Sequence, residues 1–261
     1  MNSKYAHIIN WDKIFSYSNE FQNNKPCKWT FIEDFFQREF YDQLYETFPK
    51  FGDSWEYVSS HDKDAFRKLW GNQKNDDVPT DEEDSKFSKP WNEFYHYLFT
   101  DEFIQNMKFF SNVPVGGLKH FSMKLSKQGG YQSPHIHNVG PSTLIFMIYF
   151  SKHWEKGDPG GTYLTPEEDE SKMIFEPYNL DNTAVVFQDG PYAGHGVRLI
   201  EKDVERRAIQ VYLEGYNPDS GWTSHQINHE LKEIYLRFHK LDNCYSHCFI
   251  CFRYSGSFIL I

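Results

Sequence analysis

The sequence is poor in cysteine, in long apolar runs and in clustered basic residues. Its four cysteines, at positions 27, 244, 248 and 251, are too few and too unevenly placed for a disulfide framework. No stretch approaches the roughly 18 apolar residues of a membrane-spanning helix, so we expect no membrane span. The opening residues MNSKYAHIIN lack the basic and apolar regions of a secretory signal. We therefore expect a cytoplasmic protein.

Basic residues are in the minority and are scattered along the chain. Lysine and arginine number 27 against 37 aspartates and glutamates, and the net charge is −10. Because binding to nucleic acids depends largely on neutralising phosphates with such residues, we expect no nucleic-acid partner. Aromatic residues, by contrast, make up 18% of the chain and supply bulk for a core. The length of 261 residues fits a single domain, 1–261.

The first part of the chain, 1–116, has mainly helical patterns. Bulky and polar residues alternate over 28–33 and predict an opening strand. Apolar residues then recur at helical spacing over Gln37–Phe48, which predicts an amphipathic helix.

Two further segments complete this N-terminal part. Residues 71–89 are polar and acidic, with Pro79 among them, and predict a solvated loop; the alternative is a flap near the entrance of a site. Residues 91–110 predict two short helices, the second capped near Thr100 or Asp101.

After residue 116 the pattern changes to short runs rich in β-branched and aromatic residues, separated by turn residues. Such spacing predicts a sandwich or barrel-like β core over about 118–215. The predicted strands are Leu118–Leu125, Thr143–Phe150, Gly161–Leu164, Thr183–Gln188, Gly196–Ile200 and Arg206–Leu213. A C-terminal helix over His225–Lys240 and an apolar tail complete the chain over 216–261.

Three histidines of the β core are candidate metal ligands. His135 and His137 are two residues apart, so they point to the same face if this segment is extended. His195 follows a predicted strand and a turn. Imidazole is the commonest neutral metal ligand, and two or three such groups with open positions can make a non-haem iron or zinc site. The pair alone is weak support, because the chain has 12 histidines.

The order of motifs around these histidines resembles the prolyl-hydroxylase-like branch of the iron(II)/2-oxoglutarate oxygenases. The resemblance covers residues 118–215 in order and spacing. The motifs are His135-Ile-His137, a strand ending Tyr149-Phe150, Trp154, Gly160-Gly161-Thr-Tyr-Leu164, a strand with Phe187, His195-Gly196-Val197 and Arg206-Arg207-Ala208.

The resemblance implies an α+β fold, with a double-stranded β-helix (a jelly-roll or cupin-like core) and flanking N- and C-terminal helices. It implies iron(II) as the metal, 2-oxoglutarate as cosubstrate and ascorbate as a supporting reductant. Arg206 would clamp the distal carboxylate of 2-oxoglutarate, with the small Ala208 on the same strand face leaving room. Tyr149 or Thr143 would add a hydroxyl to that carboxylate, although both also fit as ordinary strand residues.

The chain departs from the family at the metal site, because His137 stands where the family has a carboxylate. Three outcomes are open. His137 binds the metal, giving a neutral three-histidine site with His135 and His195; or it swings away and leaves a vacancy, as in related halogenases; or the chain is a weak or inactive relative. No nearby acid is an obvious replacement for the family's carboxylate, because the candidates lie too far along the chain: Asp189, Asp158 and Glu155.

Two further groups of possible ligands lie near the C-terminus. The spacing of Cys244, Cys248 and Cys251 matches the cluster motif of radical S-adenosylmethionine enzymes, but only ten residues follow it. A small zinc site with His247 is chemically possible; an apolar packed tail is the simpler interpretation. His225 and His229 are interpreted as surface histidines.

The sequence thus supports two functions of different classes. The first is a dioxygenase that hydroxylates a carbon of an amino-acid side chain, either in a small molecule or in a peptide or protein. The second is a non-catalytic β-barrel that binds a metal or ligand. The flanking segments carry no motif that identifies the substrate.

Overall fold

A computed structural model describes residues 3–74, 77 and 79–215 of the chain. The predicted C-terminal helix and tail, with the cysteine and histidine groups in them, lie outside the described residues. The helices are α1 (Trp11–Ser16), α2 (Ser18–Asn23), α3 (Arg38–Glu46), α4 (Lys89–Tyr97) and α5 (Asp101–Ser111). The strands are β1 (Trp29–Glu33), β2 (Glu56–Ser60), β3 (Lys63–Leu69), β4 (Gly117–Ser126), β5 (Tyr131–His135), β6 (Thr143–Phe150), β7 (Thr162–Thr165), β8 (Asp181–Gln188), β9 (Gly194–Val197) and β10 (Arg206–Glu214).

The strands form one antiparallel sheet that curls into a double-stranded β-helix. Their order is β1-β8-β6-β10-β4-β3-β5-β9-β7, and β2 pairs with β3. Strands that are far apart in the sequence are therefore neighbours, as β6 and β10 are. The predicted α+β fold with this core is confirmed.

Strand β6 shows why both faces of the sheet are covered. Its alternate residues Leu144, Phe146, Ile148 and Phe150 belong to one core cluster, which also contains residues of the helices. Ile145, Met147 and Tyr149 belong to a second cluster inside the barrel. Because side chains alternate along a strand, a continuous apolar run is what a strand buried on both faces requires.

The helices cover the outer face, and their ends follow ordinary capping chemistry. The side chain of Thr100 accepts a hydrogen bond from the backbone N–H of Phe103 and caps α5, as predicted. Asn112 ends the same helix in the left-handed conformation, with φ of 50°. No helix of the described residues is long and apolar enough to cross a membrane.

The N-terminal part is less helical than predicted, because the hairpin β2–β3 lies within it. Strand β3 pairs with both β4 and β5 and so connects the two halves of the barrel. Its residues Lys63–Leu69 are half-buried, and most are polar. The hairpin is invisible to a search for apolar alternation, since its inward-facing side chains include lysine and arginine.

Candidate metal centre

The structure brings the three predicted histidines together at one end of the barrel. His135, the last residue of β5, pairs directly with His195 on β9, and His137 follows two residues later. One ligand nitrogen from each of the three lies within 4.8 Å of the others. The ring centroids of His135 and His195 are 4.3 Å apart, and that of His137 is 4.8 and 5.1 Å from them.

Backbone carbonyls orient two of the imidazoles in the same way. Nδ1 of His135 lies 3.1 Å from the carbonyl of Ser133, and Nδ1 of His195 lies 3.0 Å from that of Ala193. A carbonyl can only accept, so each Nδ1 carries the proton and each Nε2 presents its lone pair. Such a bond is what fixes a metal-binding histidine.

Nε2 of His195 is the atom that most clearly lacks a partner. It is fully buried and has no hydrogen-bond partner in the described part of the chain. Buried polar atoms are nearly always paired, and an exception requires an explanation such as a ligand that is not present. A metal ion on this lone pair would provide one.

All three imidazoles are kept neutral, as metal ligands must be. Burial lowers the pKa of His135, and it lowers the pKa of His195 far more. Burial lowers the pKa of His137 to about 4, with smaller contributions from the neighbouring imidazole of His135 and the positive charge of Lys63. At neutral pH, therefore, none of the three has to lose a proton before it binds a metal. This donor set fits iron(II) or zinc.

Side chains contact Nε2 of two of the histidines. The amide nitrogen of Gln132 lies 3.2 Å from Nε2 of His135, and His137 has a contact of its own at Nε2. The Tyr212 hydroxyl lies 3.2 Å from that nitrogen. The amide of Gln210 donates to the same hydroxyl at 2.8 Å. The tyrosine hydroxyl is therefore placed to donate its proton to His137.

No carboxylate joins the cluster among the described residues, where the candidate group consists of the three histidines alone. Asp189 instead accepts hydrogen bonds from the backbone N–H groups of Val139 and Gly140, and so holds the turn after His137. Glu168, which the sequence did not single out, accepts from the N–H of Ile136, between the two histidines. Both acids support the backbone of the site.

A pocket inside the barrel is lined by both His195 and Arg206. Arg206 is itself buried. Only 2% of its surface is exposed. Its Nε donates to the carbonyl of Gly160 at 2.8 Å, and Nη2 donates to Oγ1 of Thr162 at 3.0 Å. No carboxylate of the described residues pairs with it, and burial lowers its pKa. A buried guanidinium without a counter-ion favours an anionic ligand.

Tyr149 lies against Arg206, with the guanidinium carbon 5.1 Å from its ring centroid. The Tyr149 hydroxyl accepts a hydrogen bond from the backbone N–H of Thr162 at 2.9 Å. Ala208 pairs with Tyr149 across the sheet and is fully buried. Arg206, Tyr149 and Ala208 are therefore together, in the arrangement that the sequence predicted.

Thr143 does not join this group. It lies at the other end of β6 and pairs with Glu214, whereas Tyr149 pairs with Ala208. The two residues are six positions apart, which is about 20 Å on a strand. A single small carboxylate cannot reach both, so Thr143 does not lie beside Arg206, where the resemblance placed it. Order along a strand does not reveal the register between strands.

The sequence also missed two lysines of the pocket. Lys63 on β3 and Lys124 on β4 line it together with His195 and Arg206. Neither stands near a recognisable motif in the sequence. Only the pairing of β3 with β4 and of β4 with β10 brings them to Arg206.

Comparison with known proteins gives matches to solved structures only: no protein-family model and no curated protein matches. A prolyl-4-hydroxylase of Pseudomonas putida is 9% identical, with a TM-score of 0.57 over 78% of this chain and 100% of that one. A prolyl hydroxylase of Trichoplax adhaerens, in complex with a peptide fragment of hypoxia-inducible factor, is 14% identical, with a TM-score of 0.54 over 82% and 94%. An oxidoreductase of the 2OG-Fe(II) oxygenase family from Burkholderia pseudomallei is 13% identical, with a TM-score of 0.50 over 84% and 92%. At these identities, the similarity shows that the chain has the double-stranded β-helix fold of those oxygenases.

Proposed function

We propose that this chain is an iron(II)- and 2-oxoglutarate-dependent oxygenase that hydroxylates a carbon of an amino-acid side chain, free or within a peptide or protein. One observation carries the proposal. The unpartnered Nε2 of His195 and the buried guanidinium of Arg206, which has no counter-ion, line the same pocket. A metal ion and an acid are the ligands that these two groups lack.

His135, His137 and His195 would hold the iron(II) ion. When bound, the ion would supply the activation of dioxygen, coupled to the decarboxylation of 2-oxoglutarate to succinate. The protein contributes orientation, since the carbonyls of Ser133 and Ala193 fix the rings of His135 and His195. Three neutral ligands leave the full divalent charge of the ion uncompensated, which favours an anionic cosubstrate.

Arg206 would bind the distal carboxylate of 2-oxoglutarate. Its contacts with Gly160 and Thr162 hold the guanidinium in place. A guanidinium matches a carboxylate with two parallel hydrogen bonds. Tyr149 packs against this guanidinium, and its bond to Thr162 ties β6 to β7. Met147 and Val197 add apolar lining that limits access of water.

One comparison supports the choice of substrate. The Trichoplax enzyme of the same fold is in complex with a peptide, which supports a peptide or protein substrate for this chain, with a small molecule as the alternative. A cytoplasmic location remains a prediction from the sequence.

The test is turnover of 2-oxoglutarate by the full chain. The protein is loaded with iron(II) without oxygen, ascorbate is added to keep the iron reduced, and release of succinate and CO2 is measured with and without candidate amino acids and peptides. We expect succinate release that requires iron and increases with the right substrate. Absence of metal binding together with absence of turnover for every substrate class would refute the proposal.

A second candidate is a non-catalytic relative that binds a metal or ligand weakly. The contact between Tyr212 and His137 favours it, because the hydroxyl proton occupies the lone pair that a metal would need. Metal binding without succinate release would indicate this function. A halogenase-like vacancy is disfavoured, since the ring of His137 lies within the cluster and fills the space.

A further inference from the structure

The pocket beside the histidines has more positive charge than one cosubstrate requires. Lys63, Lys124 and Arg206 all line it, and none of its lining residues is acidic. The strand register explains the convergence. Lys124 pairs with Ala208 on β10 on one side and with Arg67 on β3 on the other, so the four basic side chains share the inner face of the barrel.

The two lysines are the members of this group with neither an ion pair nor a hydrogen bond to a described residue, since Arg206 donates to Gly160 and Thr162. Arg67 is already neutralised by Glu56, with Nη2 2.8 Å from a carboxylate oxygen. In the described part of the chain, neither ammonium group, Lys63 or Lys124, has a hydrogen bond or an ion pair. Both are half-buried rather than extended into solvent. Lysines of this kind usually reach water or a carboxylate.

Mutual repulsion among these cations is unfavourable. The pKa of each lysine is lowered, first by burial and then by the other positive charges, among them Arg67 and Arg206. Like charges in a partly desolvated pocket repel more strongly than in water. An anion between them would remove this cost, so the pocket is better suited to a bound acid than to water.

2-Oxoglutarate accounts for only part of this charge. It has two carboxylates, of which one belongs at the metal and the other at Arg206. Arg206 is held at its end of the pocket by Gly160 and Thr162. Lys63 belongs to the β2–β3 hairpin, two strands away from Arg206 in the sheet, and pairs with Gln132 of β5. The two ammonium groups thus remain for a second ligand.

We propose that Lys63 and Lys124 bind an anionic group, a carboxylate or a phosphate, of the substrate that is oxidised. This inference rests on the proposed function, and it narrows the substrate class to acids. Ammonium groups act as point charges without a preferred plane, so both kinds of anion fit. The protein as a whole has a net charge of −10, so an acidic ligand is attracted to this positive pocket rather than to the rest of the surface.

The test measures anion binding by calorimetry on the full chain loaded with Co(II) and saturated with 2-oxoglutarate. The probes are N-acetylaspartate for a carboxylate and inorganic phosphate for a phosphate, with neutral N-acetylasparagine amide as the reference. The variant is Lys63→Gln with Lys124→Gln. The matched control is Lys68→Gln, on the same strand, whose Nζ lies 3.4 Å from the carbonyl of Ser54 instead of lining the pocket.

We expect the wild-type protein to bind at least one of the two acidic probes and not the neutral one; which probe binds identifies the anion. The double variant should weaken that binding by about tenfold or more, equivalent to about 1.4 kcal/mol. The control should leave it unchanged, and the Kd of 2-oxoglutarate should change by less than about threefold. Because repulsion is removed, the double variant should also melt no lower than the wild type, which shows that it is folded.

Three results would overturn the inference. They are failure of the wild type to bind either acid, equal binding by the double variant, and a loss of 2-oxoglutarate affinity as large as the loss for the probes. The last would assign the lysines to the cosubstrate. Repeating the titration on metal-free protein separates this inference from the proposed function. If the chain binds no metal but still binds the anion through its lysines, the proposed function is refuted and the inference about the lysines stands.

Discussion

The hydroxyl of Tyr212 lies 3.2 Å from Nε2 of His137, the histidine that stands in place of an acid. Since Gln210 donates to the same hydroxyl, the proton of Tyr212 is directed to His137. Nε2 therefore accepts a hydrogen bond, whereas Nε2 of His195 is buried with no partner in the described part of the chain. The three histidines are thus not equivalent: a phenol hydroxyl contacts Nε2 of His137, and an amide contacts Nε2 of His135.

Replacing Tyr212 by Phe should strengthen metal binding. The substitution removes the proton that competes with a metal for His137, and a hydrogen bond of this kind contributes about 1 kcal/mol. We expect Co(II) affinity to increase by up to about tenfold, measured by titration of the visible Co(II) absorption. Tyr192→Phe, at an exposed position, is the control. Weaker binding in Tyr212→Phe would show instead that the hydroxyl orients His137 for the metal.

Replacing His137 by Asp tests how charge at the metal affects the cosubstrate. The aspartate lowers the net charge of the site by one, so the attraction for dianionic 2-oxoglutarate should fall. We expect the Co(II)-loaded variant to retain the metal and to bind 2-oxoglutarate several-fold more weakly, by calorimetry. His137→Asn introduces a neutral side chain of the same size as aspartate, so comparing the two variants separates the effect of charge from that of shape. Tighter binding and faster succinate release in His137→Asp would mean that the natural site is attenuated.

Much of the barrel could be predicted from local pattern, and the reason is burial. Strand β6 is apolar at every position but its first, Thr143, and its predicted limits are those observed. The histidine cluster was predictable because His135 and His137 are close in sequence and His195 follows a strand. Their meeting depends only on strands β5 and β9 being neighbours, which the resemblance to known oxygenases supplied.

What could not be predicted depends on register between distant strands. Thr143 and Tyr149 lie on one inward face in the sequence pattern, yet only Tyr149 is opposite Ala208. Lys63 and Lys124 are separated by 61 positions, and no local pattern relates them. The β2–β3 hairpin was missed because side chains that β3 directs into the pocket are polar. The strand therefore lacks the usual alternation of apolar and polar residues.

Substitution of the two adjacent arginines of β10 should have unequal effects on cosubstrate binding. Arg206 points into the barrel, whereas Arg207 pairs with Glu205 at 2.6 Å and lies over the ring of Phe48 on the outer face. Arg206→Lys keeps a charge but loses the planar fork. We expect the Kd of 2-oxoglutarate to increase by about 30-fold or more, equivalent to about 2 kcal/mol. Arg207→Lys is the matched control and should change it by less than about twofold. Equal effects would mean that the inner face of β10 is not the cosubstrate side.

His120 should make the fold sensitive to mild acid. It lies on β4 with Nε2 2.8 Å from the hydroxyl of Ser122, and burial, with nearby Lys124 and Arg67, lowers its pKa to about 3. The unfolded chain binds a proton near pH 6.5, and the folded chain does not. Stability is therefore full above pH 6.5 and falls as the pH decreases toward 3. At pH 5 the loss from this one residue is about 2 kcal/mol.

The variant His120→Gln should lose this part of the pH dependence. We expect the free energy of unfolding of metal-free protein, from urea titrations at pH 7 and pH 5, to differ less in the variant than in the wild type, by about 2 kcal/mol. His7→Gln, at an exposed histidine, controls for the loss of any imidazole. The remaining acid sensitivity should come from the three histidines of the metal centre, and added Co(II) should displace it to lower pH because metal binding holds them unprotonated. If the difference in unfolding free energy between pH 7 and pH 5 is the same in His120→Gln as in the wild type, His120 is protonated in the folded protein at pH 5. The inner face of the barrel would then accommodate one more positive charge beside Lys124 and Arg67.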